Sequence, residues 1–209
     1  MPGLSNLAFL IKVNPIMKLV LTILVSLLAF KMPTPIMQKW VIEKKSTLHI
    51  DGKTNVSNFR CDINEYPQQD TMLLYKEELQ PVVIKGGLAI NVNCFDCHQK
   101  YITSDLRKTL KADDIPFFQI RLLNMGYYNM RPGRQVVKGW VDITLAGVTR
   151  RMEINYTLQT MGENNLLLNG EQKMLFSDFK LSPPRRLVGL IKVDNEINVQ
   201  FQLVMRMVQ

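Results

Sequence analysis

The hydrophobic positions of this chain recur every second residue over most of its length. In "VKGWVDITL", Val137, Gly139, Val141, Ile143 and Leu145 share one parity, while Lys138, Trp140, Asp142 and Thr144 take the other. "MEINYTLQ" sets Met152, Ile154, Tyr156 and Leu158 against Glu153, Asn155, Thr157 and Gln159. "EINVQFQLVMRM" does the same with Ile197, Val199, Phe201, Leu203, Met205 and Met207. Shorter runs group Leu88, Ile90, Val92 and Cys94, and again Phe59, Cys61 and Ile63. A period of two marks a strand with one buried face. Further strands are predicted near 39–50, 73–79, 115–123 and 166–176. In "PFFQI" the strand opens after Pro116, which gives Phe118 and Ile120 a common face.

Turn signals separate these runs: "DGKTN", "KGG", "RPG", "AGV", "GENN" and "VDNE". Many alternating strands joined by short turns form an antiparallel sheet with one apolar face to cover, and closure into a barrel removes both of its edges. A single stretch, "TSDLRKTLKADD", predicts a short helix near residues 103–112, with Thr103 or Ser104 as N-cap and Leu106 and Leu110 one turn apart. The fold class is therefore all-β, with one helix. No repeat or linker interrupts the chain after residue 40.

The first 37 residues follow another pattern. They hold no acid, three lysines (Lys12, Lys18, Lys31) and the apolar run "LVLTILVSLLAF" at 19–30. That run is short for a bilayer span, which takes about 20 apolar residues, and fits the core of a signal peptide. Residues 1–37 are expected to be a leader, with Met17 as an alternative start, and residues 38–209 the β-domain. The expected location is periplasmic, or otherwise exported to the cell envelope.

Composition and charge narrow the partners. The chain has 209 residues, 46% hydrophobic and 21% charged, with a formal charge of +8. Setting the three leader lysines aside leaves 23 basic against 18 acidic residues, or +5. The excess is spread along the chain, whereas nucleic-acid modules cluster Lys and Arg with aromatics between them. No nucleic-acid partner is expected. Attraction to an anionic membrane surface remains open. Trp140, on the polar face of its strand, is expected either to mark a homodimer contact or to pack under a loop.

The chemistry-bearing residues are few. Cys94, Cys97 and His98 form C-x-x-C-H, the attachment signature of c-type haem. Against that reading, Cys94 continues the apolar face of a predicted strand. In an exported chain two of three cysteines are expected to pair as a disulfide. His49 and His98 are the two histidines, too few with the spacing present for a zinc motif. Asp113–Asp114 is expected to face water, so no catalytic set is assigned. Arg150–Arg151 and Arg185–Arg186 flank turns, where they either face water or ring a barrel mouth and meet a phosphate.

Several stretches, in order, resemble the YceI-like lipid and polyisoprenoid-binding family, in its cysteine-bearing envelope branch. They are "STLHIDGKTNVSNFRCDI", "FDCHQKYITSDLRKTLKADDIPFFQI", "ITLAGVTRRMEI" and "LNGEQKMLFSDFKLSPPRRLVGLIKV". Matching positions include Gly52, Phe59, Cys61, Cys97, Leu106, Pro116, Gly147, Gly170 and Ser177–Asp178–Phe179. The resemblance implies an extended eight-stranded, lipocalin-like antiparallel barrel holding a long apolar ligand: a polyisoprenoid, an isoprenoid quinone or an acyl lipid. It also favours a Cys61–Cys97 disulfide, with Cys61–Cys94 as the alternative and the third thiol buried. Cys94 and His98 depart from the family pattern and inherit no role. Under this reading Phe118, Ile120, Val141, Ile143, Met152, Ile154 and Phe176 line an apolar tunnel, and the protein is a non-catalytic binding protein without a resident cofactor, whether it carries, stores or senses its ligand. Two alternatives stand beside it: a haem electron carrier through Cys94, Cys97 and His98, and a barrel filled by its own side chains.

Overall fold

The computed structural model describes residues 14–16, 35–77, 80–128 and 133–208. The chain divides into two units, residues 1–34 and 35–209. The expected leader lies outside the described residues except at 14–16 and 35–37, and its last two residues, Ile36 and Met37, already belong to a strand.

Among the described residues, twelve strand segments trace eight passes of the chain, and a thirteenth lies beside the last. The first four passes are each broken in two: β1 (Ile36–Ile42) with β2 (Thr47–Thr54), β3 (Asn58–Ile63) with β4 (Thr71–Lys76), β5 (Val82–Lys85) with β6 (Gly87–Asn91), and β7 (Phe117–Leu122) with β8 (Asn124–Met125). The last four are long: β9 (Arg134–Leu145), β10 (Val148–Thr160), β11 (Asn165–Leu175) and β13 (Ile191–Val208), with the two-residue β12 (Arg185–Arg186) laid along the start of β13. Each pass pairs antiparallel with the next, through β1–β4 and β2–β3, β4–β5, β5–β8 and β6–β7, and β7–β9. The series continues through β9–β10, β10–β11 and β11–β13, and β13 returns to β1 and β2. The curled antiparallel sheet is consistent with the lipocalin-like barrel expected, while its strand count exceeds eight because four passes are broken and β12 is added.

The breaks have local causes. The run expected as one strand at 39–50 turns at residues 43–46, where Ser46 N–H donates to the Glu43 carbonyl. Between β5 and β6, Gly86 adopts φ +130°, and a Cβ there would stand 2.7 Å from the Thr71 carbonyl oxygen. A residue with a side chain meets both strain and a clash at that corner.

The predicted parity holds along β9. Val137, Gly139, Val141, Ile143 and Leu145 are buried, and Trp140 is 42% exposed on the outer face. In that outer row Asp142 is buried beneath two cross-strand neighbours, accepting from Arg151 Nε at 2.8 Å and from Arg121 Nη2 at 2.6 Å. These hydrogen bonds, Arg151's first, hold the Asp142 carboxyl down to about 2.

One flank of the barrel is closed by side chains. β3 pairs with β2 and β6 with β7, but β3 and β6 do not pair with each other. The gap is crossed by a two-bond bridge between the backbones of Asp62 and Asp96 and by the Cys61–Cys97 disulfide. At a sequence separation of 36 the cross-link stabilises by about 3–4 kcal/mol on the loop-entropy view. Beside it, Asp62 meets His49 Nδ1 at 2.6 Å and His98 Nε2 at 2.5 Å. Burial pushes the Asp62 carboxyl up, and the hydrogen bonds from His98 and His49 outweigh it, leaving it below its ordinary value.

Helix α1 (Lys100–Thr109) covers the same flank, with Leu106 and Leu110 in the core. It starts before the expected Thr103 or Ser104, and its N-cap is Gln99. The Thr103 hydroxyl is used otherwise, donating to the Gln99 carbonyl and accepting from Cys97 N–H.

The cysteine expectations divide. Cys61–Cys97 is formed as expected. Cys94 is exposed rather than buried, because β6 ends at Asn91 and residues 92–94 turn as a 3-10 helix that swings the thiol off the strand face. With Cys97 committed to Cys61, C-x-x-C-H retains one thiol where c-type attachment uses two.

Candidate functional site

The interior has two halves. In one, long side chains from facing strands fill the bore. Trp40 lies on β1 opposite Met72 of β4, Leu158 on β10 opposite Leu168 of β11, and Leu166 opposite Met205 of β13. All six are almost wholly excluded from solvent. In the other half, toward α1, three apolar cavities follow one another.

The innermost, about 40 Å³, is bounded by Ser46 and Tyr66 and walled by Ile120, Val141, Ile143 and Ile154. It shares Leu48, Ile120, Ile143, Met174 and Val199 with a middle cavity of about 40 Å³, which Phe118 and Phe176 also line. The middle cavity in turn shares Leu106 and Phe176 with an outer one of about 130 Å³, between α1, the β2–β3 turn and the start of β13. Shared walls set the three in series. Along β13 the lining runs from Leu203 to Val193, about 30 Å at the rise of a strand. The bore is narrow compared with compact ligand pockets of roughly 300–1,000 Å³. Its shape suits chain atoms in single file.

Two glycines keep that bore clear. Gly52 faces Phe59 across β2–β3 and Gly170 faces Phe201 across β11–β13. A Cβ would lie 2.2 Å from Phe59 Cζ at the first and 2.1 Å from Phe201 Cζ at the second. Each ring therefore lies against the wall over its glycine instead of standing into the bore.

The few polar groups near the inner cavity are mostly satisfied. The Tyr66 hydroxyl donates to Asp70, and Ser46 bonds the backbone of Val204 as both donor and acceptor. Tyr156 is the exception. Its ring lines the cavity, its hydroxyl is buried without a partner, and burial pushes that hydroxyl up. A wall of this kind gains from apolar contact.

Two solved structures share this architecture. A polyisoprenoid-binding domain from Saccharophagus degradans, implicated in plant cell wall breakdown, matches with a TM-score of 0.57 at 10% identity, covering 80% of this chain and 97% of its own. BcnA of Burkholderia cenocepacia matches with a TM-score of 0.53 at 14% identity, covering 77% of this chain and 96% of its own. The fold is the one the YceI-like resemblance implies. No protein-family model matches the chain, and no curated protein does.

Within this fold, six of the seven expected tunnel residues line the cavities: Ile120, Val141, Ile143 and Ile154 the inner one, and Phe118 and Phe176 the middle one. Met152 packs against the core but lines none of the three, because it stands partly exposed near the open edge of β10. Leu48, Met174, Val199 and Phe201 also line the bore. Val199 and Phe201 carry the same period-two signal in sequence, and it reaches them equally.

Of the outer cavity, only Phe176 and the arginine pair set at a barrel mouth were foreseen from the sequence. The cavity joins Val56, Tyr101, Arg186 and Ile191 from segments far apart in the chain. Of the two arginine pairs, one residue reaches this rim: Arg186, which pairs with Asp105 of α1 and donates to the Tyr101 carbonyl. Arg150 and Arg151 are held on the outer wall, by the Asp178 carbonyl and by Asp142.

Proposed function

We propose that this protein is an exported, non-catalytic carrier of one long apolar chain, such as a polyisoprenoid, an isoprenoid quinone or an acyl lipid. The observation that carries the reading is the series of three apolar cavities leading from Ser46 and Tyr66 to an opening beside α1. The printed ligand class of the Saccharophagus degradans domain, which shares the fold, supports it. Export is supported by the disulfide, which persists in oxidising compartments, and by the apolar leader-like run at 19–30.

The physics is that of burial. Each methylene taken from water contributes about 0.8 kcal/mol, so a chain of tens of carbons outweighs the cost of ordering it. On this reading a chain enters as lining side chains change rotamer, and Met174, unbranched, is the one best able to do so. Phe118, Ile120, Val141, Ile143, Ile154 and Phe176 are the residues assigned to contact the chain.

Native mass spectrometry of protein purified from its own envelope, followed by solvent extraction, tests the reading. One apolar chain per barrel is expected. A protein that yields no lipid would make it a filled-core structural domain.

A further inference from the structure

The outer cavity opens beside a hairpin whose tip has no structural explanation. β12 and the start of β13 pair as Arg185 with Lys192 and Arg186 with Ile191, and the tip between them is Leu187–Val188–Gly189–Leu190. Leu187 is 66% exposed, Val188 109% and Leu190 74%. Leu187 and Val188 both adopt left-handed φ, at 49° and 55°, a region that β-branched residues rarely enter. The hairpin is nonetheless firmly held. Asn55 donates to the Leu190 carbonyl and exchanges bonds with Lys192, and Arg186 grips Asp105 and Tyr101. The adjoining turn adds Val56, a further exposed apolar residue.

The charge at the base of the tip is one-sided. Arg185 and Lys192 stand directly opposite each other, both exposed, and like charges in that relation repel. Lys53 lies on the neighbouring strand end. Of the acids near this rim, Asp51 is taken by Arg60, Asp105 by Arg186 and Glu196 by Lys173, which leaves Asp194 among the described residues. An apolar tip above an unneutralised basic collar is the pattern of a segment that enters the acyl boundary while its cations meet phosphate.

We propose that the 187–190 hairpin docks the barrel on an anionic phospholipid surface, placing the outer cavity against the bilayer so that an apolar chain passes between membrane and bore. The proposal rests on the carrier reading for its purpose, but docking itself is measured separately. The arrangement selects lipid over a protein groove because the three apolar side chains project outward from one tip, with cations beneath them.

Co-sedimentation of the full chain with phosphatidylglycerol vesicles and with phosphatidylcholine vesicles is the test. Wild-type protein is expected to sediment with the first, in a salt-sensitive way, and at least about tenfold less with the second. The Leu187→Ser/Val188→Ser/Leu190→Ser variant should lose at least about tenfold of the association, with an unchanged melting temperature because all three side chains are exposed. Arg185→Gln/Lys192→Gln should remove the salt sensitivity. A wild type that ignores phosphatidylglycerol, or a triple variant that sediments like wild type, overturns the proposal. A barrel that carries extractable lipid yet ignores vesicles overturns docking and leaves the carrier reading. One that docks but carries none supports docking and overturns the carrier.

Discussion

Where β1, β4, β10 and β11 face one another, the barrel is closed by backbone hydrogen bonds and filled by Trp40, Met72, Leu158 and Leu168. Toward α1 the same sheet loses its pairing between β3 and β6 and, beyond Asn155 and Glu171, between β10 and β11; at the first gap a disulfide, a histidine-clasped aspartate and a helix take over the closure. The cavities lie on that second side. A sheet that closes entirely through its backbone fixes its own width, so its core packs to the end. A sheet closed in part by side chains can leave a bore and an exit. The filled core therefore describes one half, and the cavities of the proposed tunnel lie in the other.

The largest contrast should appear in truncation. Leu168→Ala in the filled half is expected to cost about 2–5 kcal/mol, as deletions in packed cores do, and to leave bound lipid unchanged. Equilibrium denaturation with lipid analysis checks both. A cost below about 1 kcal/mol would mean that this half is loose as well and would dissolve the distinction.

The closure by side chains comes next. Replacing Cys61 and Cys97 together by alanine should cost about 3–4 kcal/mol, seen as an earlier denaturation midpoint. Hydrogen exchange should rise first in β3, residues 92–99 and α1, ahead of β10 and β11. Non-reducing peptide maps should show Cys61 joined to Cys97 and Cys94 open to alkylation. Uniform exchange across the barrel would contradict a separate, side-chain-closed flank.

A smaller effect sharpens the comparison through pH. Asp142 and Asp62 both have folded carboxyls below their unfolded values, by hydrogen bonds from Arg151 and Arg121 in the first case and from His98 and His49, against burial, in the second. A lowered folded value gives stability that is complete above the unfolded carboxylate range, near 4, and is lost as pH falls through the folded one. Melting temperature should therefore fall between about pH 4 and pH 2, and Asp142→Asn should flatten the lower part of that fall. An acid limb unchanged by Asp142→Asn would show that the pair with Arg151 and Arg121 contributes nothing to it.

How much of this was legible depended on where the signal lay. The inward faces of β9, β10 and β13 could be read because Val141, Ile154 and Phe201 belong to long uninterrupted alternations. The breaks were legible only in part: "KGG" marks the corner at Gly86, whereas the turn at 43–46 falls within the stretch expected as one strand at 39–50. Thr103 looked like a cap but bonds Gln99 and Cys97 inside the helix it was expected to open. His49, Asp62 and His98 meet from three distant positions, and no local pattern announces such a meeting. The rim hairpin was hidden for another reason. "LVGLI" has the composition of a core strand, and only its left-handed tip turns those side chains outward.

The measurement that bears most directly on the tunnel is the lipid content of Ile143→Trp. Ile143 lines both the inner and the middle cavity, so an indole there plugs their junction. With about 40 Å³ of free space on either side, the added volume should cost about 1–3 kcal/mol, within reach of a barrel that still folds. The account predicts one apolar chain per wild-type barrel and none in folded Ile143→Trp. A folded variant that keeps its full complement of lipid, or a wild type that carries none, would contradict it.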